Sequence, residues 1–122
     1  MRPASVEEAA VASDILSEAA RWLMERGQTL WHLEELTPEL LRPVAQQGEL
    51  FLAYGQGQAV GTLIYQHADP LFWPEIPVGT SAFVHKVAVR RAVAGQGVAA
   101  AMLAWAQERA RAEGLAFLRL DT

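Results

Sequence analysis

The 122-residue sequence contains no cysteine, which excludes disulfides, thiolate metal sites and a cysteine nucleophile and fits a reducing, cytoplasmic setting. It has a single lysine, Lys86, and a net charge of −4. A general nucleic-acid binder needs clustered cations against the phosphate backbone, so that class is set aside. No apolar run reaches the length of a membrane span. Acidic residues in the opening stretch "MRPASVEEAAVASDIL" interrupt it before a secretory pattern can form. No Gly-Lys-Ser/Thr follows any glycine-rich turn, which excludes a nucleoside-triphosphate P-loop. No metal site is expected.

What is present is 52% hydrophobic and 20% charged residues, the balance of a globular chain. The length fits one domain over residues 1–122 with one core. Ser5 and Glu8 form a capping-box pattern, and Val11, Ile15, Ala19, Trp22 and Leu23 recur at helical spacing until Gly27, which predicts an amphipathic helix. Thr37-Pro38 opens a second, short helix that ends at about Gln47, with threonine as N-cap and proline at the first helical position.

"LFLAYGQGQAVGTLIY" predicts a hairpin, with strands from Leu50 to Tyr54 and from Ala59 to Tyr65 around a glycine-rich turn. "HADPLFWPEIPVGTS" holds three prolines and reads as a loop. "AFVHKVAV" is an apolar strand suited to a central sheet position. A third helix follows, with Val98, Met102, Trp105 and Ala106 on one face and Gly114 as its stop, and "LAFLRLDT" is a last strand. The predicted fold is α/β (α+β): a mixed sheet with an antiparallel hairpin first, a strand-helix-strand crossover last, and helices on both faces. That crossover is expected to be right-handed, with its two strands parallel.

The stretch "VRRAVAGQGVAA", residues 89–100, joins the central strand to the third helix. Glycines in such a turn let backbone N–H groups approach a ligand, and the helix N-terminus adds partial positive charge. Arg90 and Arg91 add formal charge. The same residues can also form a plain tight turn with solvated arginines. Gly95-Gln96-Gly97-Val98-Ala99-Ala100 satisfies the dinucleotide spacing, with Asp121 placed as a ribose-binding acid would be. That fingerprint starts at a strand end and opens a series of βα units, whereas here five residues intervene.

The segment from Phe83 to Asp121 resembles the acetyl-CoA-binding core of the GNAT N-acetyltransferase superfamily. The family pattern is Gln/Arg-x-x-Gly-x-Gly/Ala after a strand ending in Val-x-Val. Here the strand end is Val87-Ala88-Val89, and the signature falls on Ala94-Gly95-Gln96-Gly97-Val98-Ala99, with alanine in place of the usual Gln/Arg. The element order before it also matches.

The resemblance implies acetyl-CoA as co-substrate. Its pyrophosphate would lie on the backbone of Ala94 to Ala99 with help from Arg90 or Arg91, and its pantetheine arm along Val87, Ala88 and Val89. A neutral amine would attack the thioester while a base takes a proton and the Val89 N–H polarises the carbonyl.

The family continues into a further helix and strands that often carry a tyrosine acid, so the domain is expected to be C-terminally truncated relative to it. The last strand is then an exposed edge, which a homodimer would cover.

His85, two residues before Val87, is expected to share its face and to act as the base. Glu75, in "FWPE", is the alternative, and Phe72 and Trp73 are candidates to line the acceptor pocket. Trp22, Trp31 and Trp105 read as packing. The favoured function is acetyl transfer to a primary amine of a small molecule or peptide, with no nucleic acid and no membrane involved. The alternatives are an inactive CoA-binding or regulatory domain and, more distantly, a dinucleotide-binding module.

Overall fold

The protein was analysed as a computed structural model that describes residues 1–68 and 79–120. Gln56 and Gly57 have φ of 53° and 81°. Two positive φ values in a row make the turn whose twist matches paired strands, and it closes a hairpin of β2 (Leu50–Gly55) on β3 (Gln58–Gln66). A short β1 (Arg2–Pro3), not foreseen from the sequence, pairs antiparallel with β2. β4 (Ser81–Val89) pairs antiparallel with β3, and β5 (Phe117–Leu120) pairs parallel with β4 as expected. The order is β1-β2-β3-β4-β5.

α1 (Ala9–Glu25) and α2 (Pro38–Gln46) cover one face of this sheet, and α3 (Val98–Ala112) covers the other. Ser5 and Glu8 form the reciprocal capping bonds, the Ser5 N–H to Glu8 Oε1 at 2.9 Å and the Glu8 N–H to Ser5 Oγ at 3.1 Å. Thr37 Oγ1 accepts the Leu40 N–H at 3.4 Å at the start of α2.

Strand alternation sorts the core into two layers. Leu50, Leu52 and Ile64 join Ala12, Ile15, Leu16 and Ala20 of α1. Phe51, Ala53, Leu63 and Tyr65 join Met102, Ala106 and Ala110 of α3. The buried face of α1 is shifted in part from the expected one: Ile15 is fully buried and Val11 and Ala19 pack against the core as expected, Trp22 and Leu23 are only half-buried, and Ala9, Ala12, Leu16 and Ala20 join the contact. Trp105 does pack as expected, with its ring 4.8 Å from that of Phe51 and 5.9 Å from that of Tyr65.

Beyond Trp105, a polar tie holds the end of α3 to β3. The Tyr65 hydroxyl donates to Glu113 Oε1 at 2.6 Å, His67 Nε2 lies 3.0 Å from the same oxygen, and Arg109 Nε donates to Oε2 at 3.3 Å. Burial pushes the Glu113 carboxyl up, but the Tyr65 and His67 hydrogen bonds outweigh it and hold the group below the usual carboxylate range. A carboxyl depressed in the folded state stabilises the fold above its unfolded pKa, and that stability is lost as pH falls through the folded value. Melting temperature should therefore fall from about pH 5 downward, and Glu113→Gln should flatten that acid limb. An unchanged limb in differential scanning calorimetry would count against the tie.

β5 is the outer strand among the described residues, with Phe117 54% and Leu120 55% exposed. No helix among the described residues is long and apolar enough to cross a membrane, and none of them form a group that could hold a metal ion.

Candidate functional site

The β4–β5 pairing spans only Ser81 to Val84 against Phe117 to Leu120. Beyond it, β4 runs on with no described strand on that side. The Arg90 N–H donates to Val60 O at 2.8 Å, with Val89 opposite Gly61 and Ala88 opposite Thr62. Antiparallel alternation then turns the Ala88 N–H toward β3 and the Val89 N–H toward the open side. Among the described residues the Val89 N–H is therefore a backbone donor without a strand partner at this edge.

The register of β4 on β3 shifts by one residue between Thr62 and Ile64. Opposite this shift, Lys86 adopts a left-handed φ of 52°, so one extra residue is accommodated as a β-bulge. The bulge reverses the side-chain alternation. Ala82 and Val84 face α3 before it, whereas Val87 and Val89 do so after it and Ala88 turns to the α1 side. His85 pairs with Ile64, which lies in the α1 layer. His85 therefore does not share a face with Val87 and Val89 as the unbroken alternation predicted; it lies across the sheet from them. Glu75, Phe72, Trp73 and Asp121 fall outside the described residues.

After β4, two consecutive arginines fasten the chain to α1. Arg90 Nη1 lies 2.6 Å from Asp14 Oδ2 and 3.4 Å from Glu18 Oε2, and the Arg91 N–H donates to Glu18 Oε1 at 2.7 Å. The Arg91 guanidinium stacks 3.8 Å from the Trp22 ring centre. Of the two arginines expected to assist an anion, Arg90 is thus committed to carboxylates. Arg91 lines the groove, and among the described residues its charged end stacks on the Trp22 indole with no ion pair.

A short 3₁₀ turn, Arg91–Val93, then leads to Gly95 and Gly97, both at φ of 82°. Gly97 is the N-cap of α3, and no side chain caps it. The first helical bond there runs from the Ala101 N–H to Gly97 O, which leaves the N–H groups of Val98, Ala99 and Ala100 without helical partners. No acidic residue stands in this first turn. A Cβ added at Gly95 or Gly97 would meet nothing within 4 Å. Open space, free N–H groups and an uncompensated helix N-terminus together suit a diphosphate, so the residues present fit the pyrophosphate of a CoA thioester.

This loop borders a groove of about 350 Å³, lined by Val89, Arg91, Ala94, Gly95, Gly97 and Val98 among others. Through Val89, Arg91 and Ala99 it meets a second cleft of about 240 Å³. The second cleft runs along Val87 and Val89 to Trp22, Leu23, Leu30 and Trp31 of α1 and the loop after it. Of the residues expected to hold the cofactor, Val87, Ala88, Val89, Arg91, Ala94, Gly95, Gly97, Val98 and Ala99 line the two clefts, while Gln96 and Arg90 line neither.

Trp22 and Trp31, read from sequence as packing alone, also form walls of the second cleft, and Trp31 is 5% exposed. Leu30 and Trp31 in the cleft wall and Glu18 under the loop are positions that the sequence reading did not single out as site candidates. The adjacent pair Leu30-Trp31 in an interhelical loop was the available signal for the first two.

A family model described as the acetyltransferase (GNAT) family matches residues 14–122. The uncharacterized N-acetyltransferase YesJ of Bacillus subtilis is 25% identical over 130 residues, covering 98% of this chain and 69% of that protein. A crystal structure of a GNAT-family acetyltransferase from Listeria monocytogenes superimposes with a TM-score of 0.83 at 22% identity, over 99% of this chain and 74% of that one. The PaiA N-acetyltransferase of Thermoplasma acidophilum, solved in complex with coenzyme A, gives a TM-score of 0.72 at 12% identity, over 93% of this chain and 72% of that one.

Proposed function

This chain belongs to the acetyltransferase (GNAT) family and uses acetyl-CoA as co-substrate, and from that premise we propose that it transfers the acetyl group to a primary amine of a small molecule or peptide. The observation that carries the reading is the continuity of the two clefts through Val89, Arg91 and Ala99. One cleft has the chemistry of a diphosphate site and the other leads along a free strand edge to an apolar wall.

Bound acetyl-CoA would supply an activated acyl carbon. The chain would contribute position and polarisation. The N–H groups of Val98, Ala99 and Ala100 would hold the pyrophosphate, and the free edge of β4 at Val87 and Val89 would pair with the pantetheine amides. The Val89 N–H would stabilise the negative charge that develops on the carbonyl oxygen. Attack needs the unprotonated amine, and His85 is one candidate to accept its proton; it sits on the α1 face of β4, the side on which Trp31 stands. Glu75 is the other candidate base. The exposed Phe117 and Leu120 on β5 support a homodimer formed across that edge.

Calorimetry with acetyl-CoA, coenzyme A and NAD, followed by a thiol-release assay over a panel of amines, tests the reading. Binding of both CoA species together with amine-dependent thiol release is expected. CoA binding without turnover on any amine would select the inactive CoA-binding alternative, and NAD binding alone would select a dinucleotide module. His85→Gln should lower kcat without changing CoA affinity; an unchanged kcat would remove His85 from the mechanism.

A further inference from the structure

The chain's only lysine stands at the β4 bulge, directly before the strand edge that lines the second cleft. Its Nζ lies 5.9 Å from the centre of the Trp31 ring, and no carboxylate among the described residues pairs with it. The nearby acids are otherwise engaged: Asp14 binds Arg90, and Glu18 takes both Arg90 and the Arg91 N–H.

Trp31 carries a second unmet demand. Its indole Nε1 is buried and has no hydrogen-bond partner among the described residues, although buried N–H groups are nearly always paired. The same ring lines the cleft beside Trp22, Leu23 and Leu30. The Arg91 guanidinium, which lines the same cleft, rests on Trp22, and no carboxylate among the described residues pairs with its charged end.

We propose that the acceptor is an amine that also bears a carboxylate and an apolar side chain, the chemistry of an apolar α-amino acid. This inference rests on the amine-acetylation reading above. Lys86 and the Trp31 indole N–H would receive the carboxylate, and Leu23, Leu30 and the Trp22 face would receive the apolar group. Lys86 and Arg91 beside the bound amine would lower its proton affinity, which favours the neutral nucleophile, since Asp14 and Glu18 are taken up by Arg90 and the Arg91 N–H. A simple polycation would meet repulsion from Lys86 and Arg91, so substrate choice at this wall has a repulsive element as well as an attractive one.

The test compares phenylalanine, phenylalanine amide and phenethylamine in the thiol-release assay, at equal concentrations of unprotonated amine and with saturating acetyl-CoA. Phenylalanine should give a kcat/KM at least about tenfold above both neutral analogues, a difference of about 1.4 kcal/mol. Lys86→Gln should erase that preference and Lys86→Arg should retain it, both with unchanged affinity for coenzyme A. Independently of turnover, 3-phenylpropanoate should quench tryptophan fluorescence in the parent protein and much less in Lys86→Gln. Neutral amines used as well as phenylalanine, or a preference that survives Lys86→Gln, would overturn the proposal while leaving amine acetylation standing. No transfer to any of the three amines would also overturn the proposal, whereas only the absence of turnover across the wider amine panel would overturn amine acetylation itself.

Discussion

A protein with valine at both Gly95 and Gly97 is expected to bind coenzyme A about 100-fold more weakly than the parent while keeping its melting temperature within a few degrees. Both glycines sit at φ of 82°, where an L side chain costs about 1–2 kcal/mol per residue, and a β-branched one is a genuine outlier. The new side chains themselves would meet nothing within 4 Å, so the penalty lies in the backbone alone and the core is left untouched. The loop relieves its strain by rotating these peptides, which turns the N–H groups at the start of α3 away from a common point. Two penalties of that size sum to about 2–4 kcal/mol. Titration calorimetry with coenzyme A, alongside circular dichroism of the free protein, reads both quantities. An affinity within threefold of the parent would place the diphosphate elsewhere.

The second large effect lies beneath the same loop. Met102 is 1% exposed and packs so closely on β3 that a Cβ at Gly61 would come within 2.7 Å of its sulfur. Met102→Ala removes the side chain that joins α3 to the sheet there, at a cost of about 2–5 kcal/mol. In a domain of this size that lowers the melting temperature by about 10 °C. Met102→Leu, close in volume, should cost under about 1.5 kcal/mol. Chemical denaturation of the three proteins tests the ranking. Equal stability of Met102→Ala and the parent would mean that α3 is held by Trp105 and the Glu113 tie instead.

Much of this architecture was legible because local signals agree with the global fold. Thr37-Pro38 starts α2, Gln56-Gly57 turns the hairpin, and Gly114 ends α3, each through backbone chemistry that any surroundings would respect. The conformation of the glycine loop proposed to hold the diphosphate was legible for the same reason, since positive φ at Gly95 and Gly97 is a property of glycine.

The rest depends on long-range contacts. The fastening of Arg90 and Arg91 to Asp14 and Glu18 joins residues more than seventy positions apart, and no periodicity encodes it. The buried face of α1 was misplaced in part because the large residues Trp22 and Leu23 dominate a periodic reading, while the sheet accepts alanines at close range. The bulge in β4 was invisible for a different reason. Its left-handed residue is a lysine, whereas the sequence signal for such a position is glycine or asparagine. That one hidden residue moved His85 to the other face and brought Lys86 beside Trp31, so the largest error in the site came from the smallest irregularity in the fold.

The order of strands across the sheet is the order in which they leave the ribosome. Each strand joins a free margin, and none has to be threaded between two already paired. During synthesis the hairpin of β2 and β3 can close first over its two-residue turn, β1 and β4 can then dock on its two sides, and β5 follows once α3 has emerged. Among the described strands, the slow, non-local parallel pairing therefore comes after the antiparallel ones. The lysine bulge and the glycine loop, held against α1 by two arginines, all precede Leu115 in the chain, so once that segment has cleared the ribosome they can form before β5 pairs.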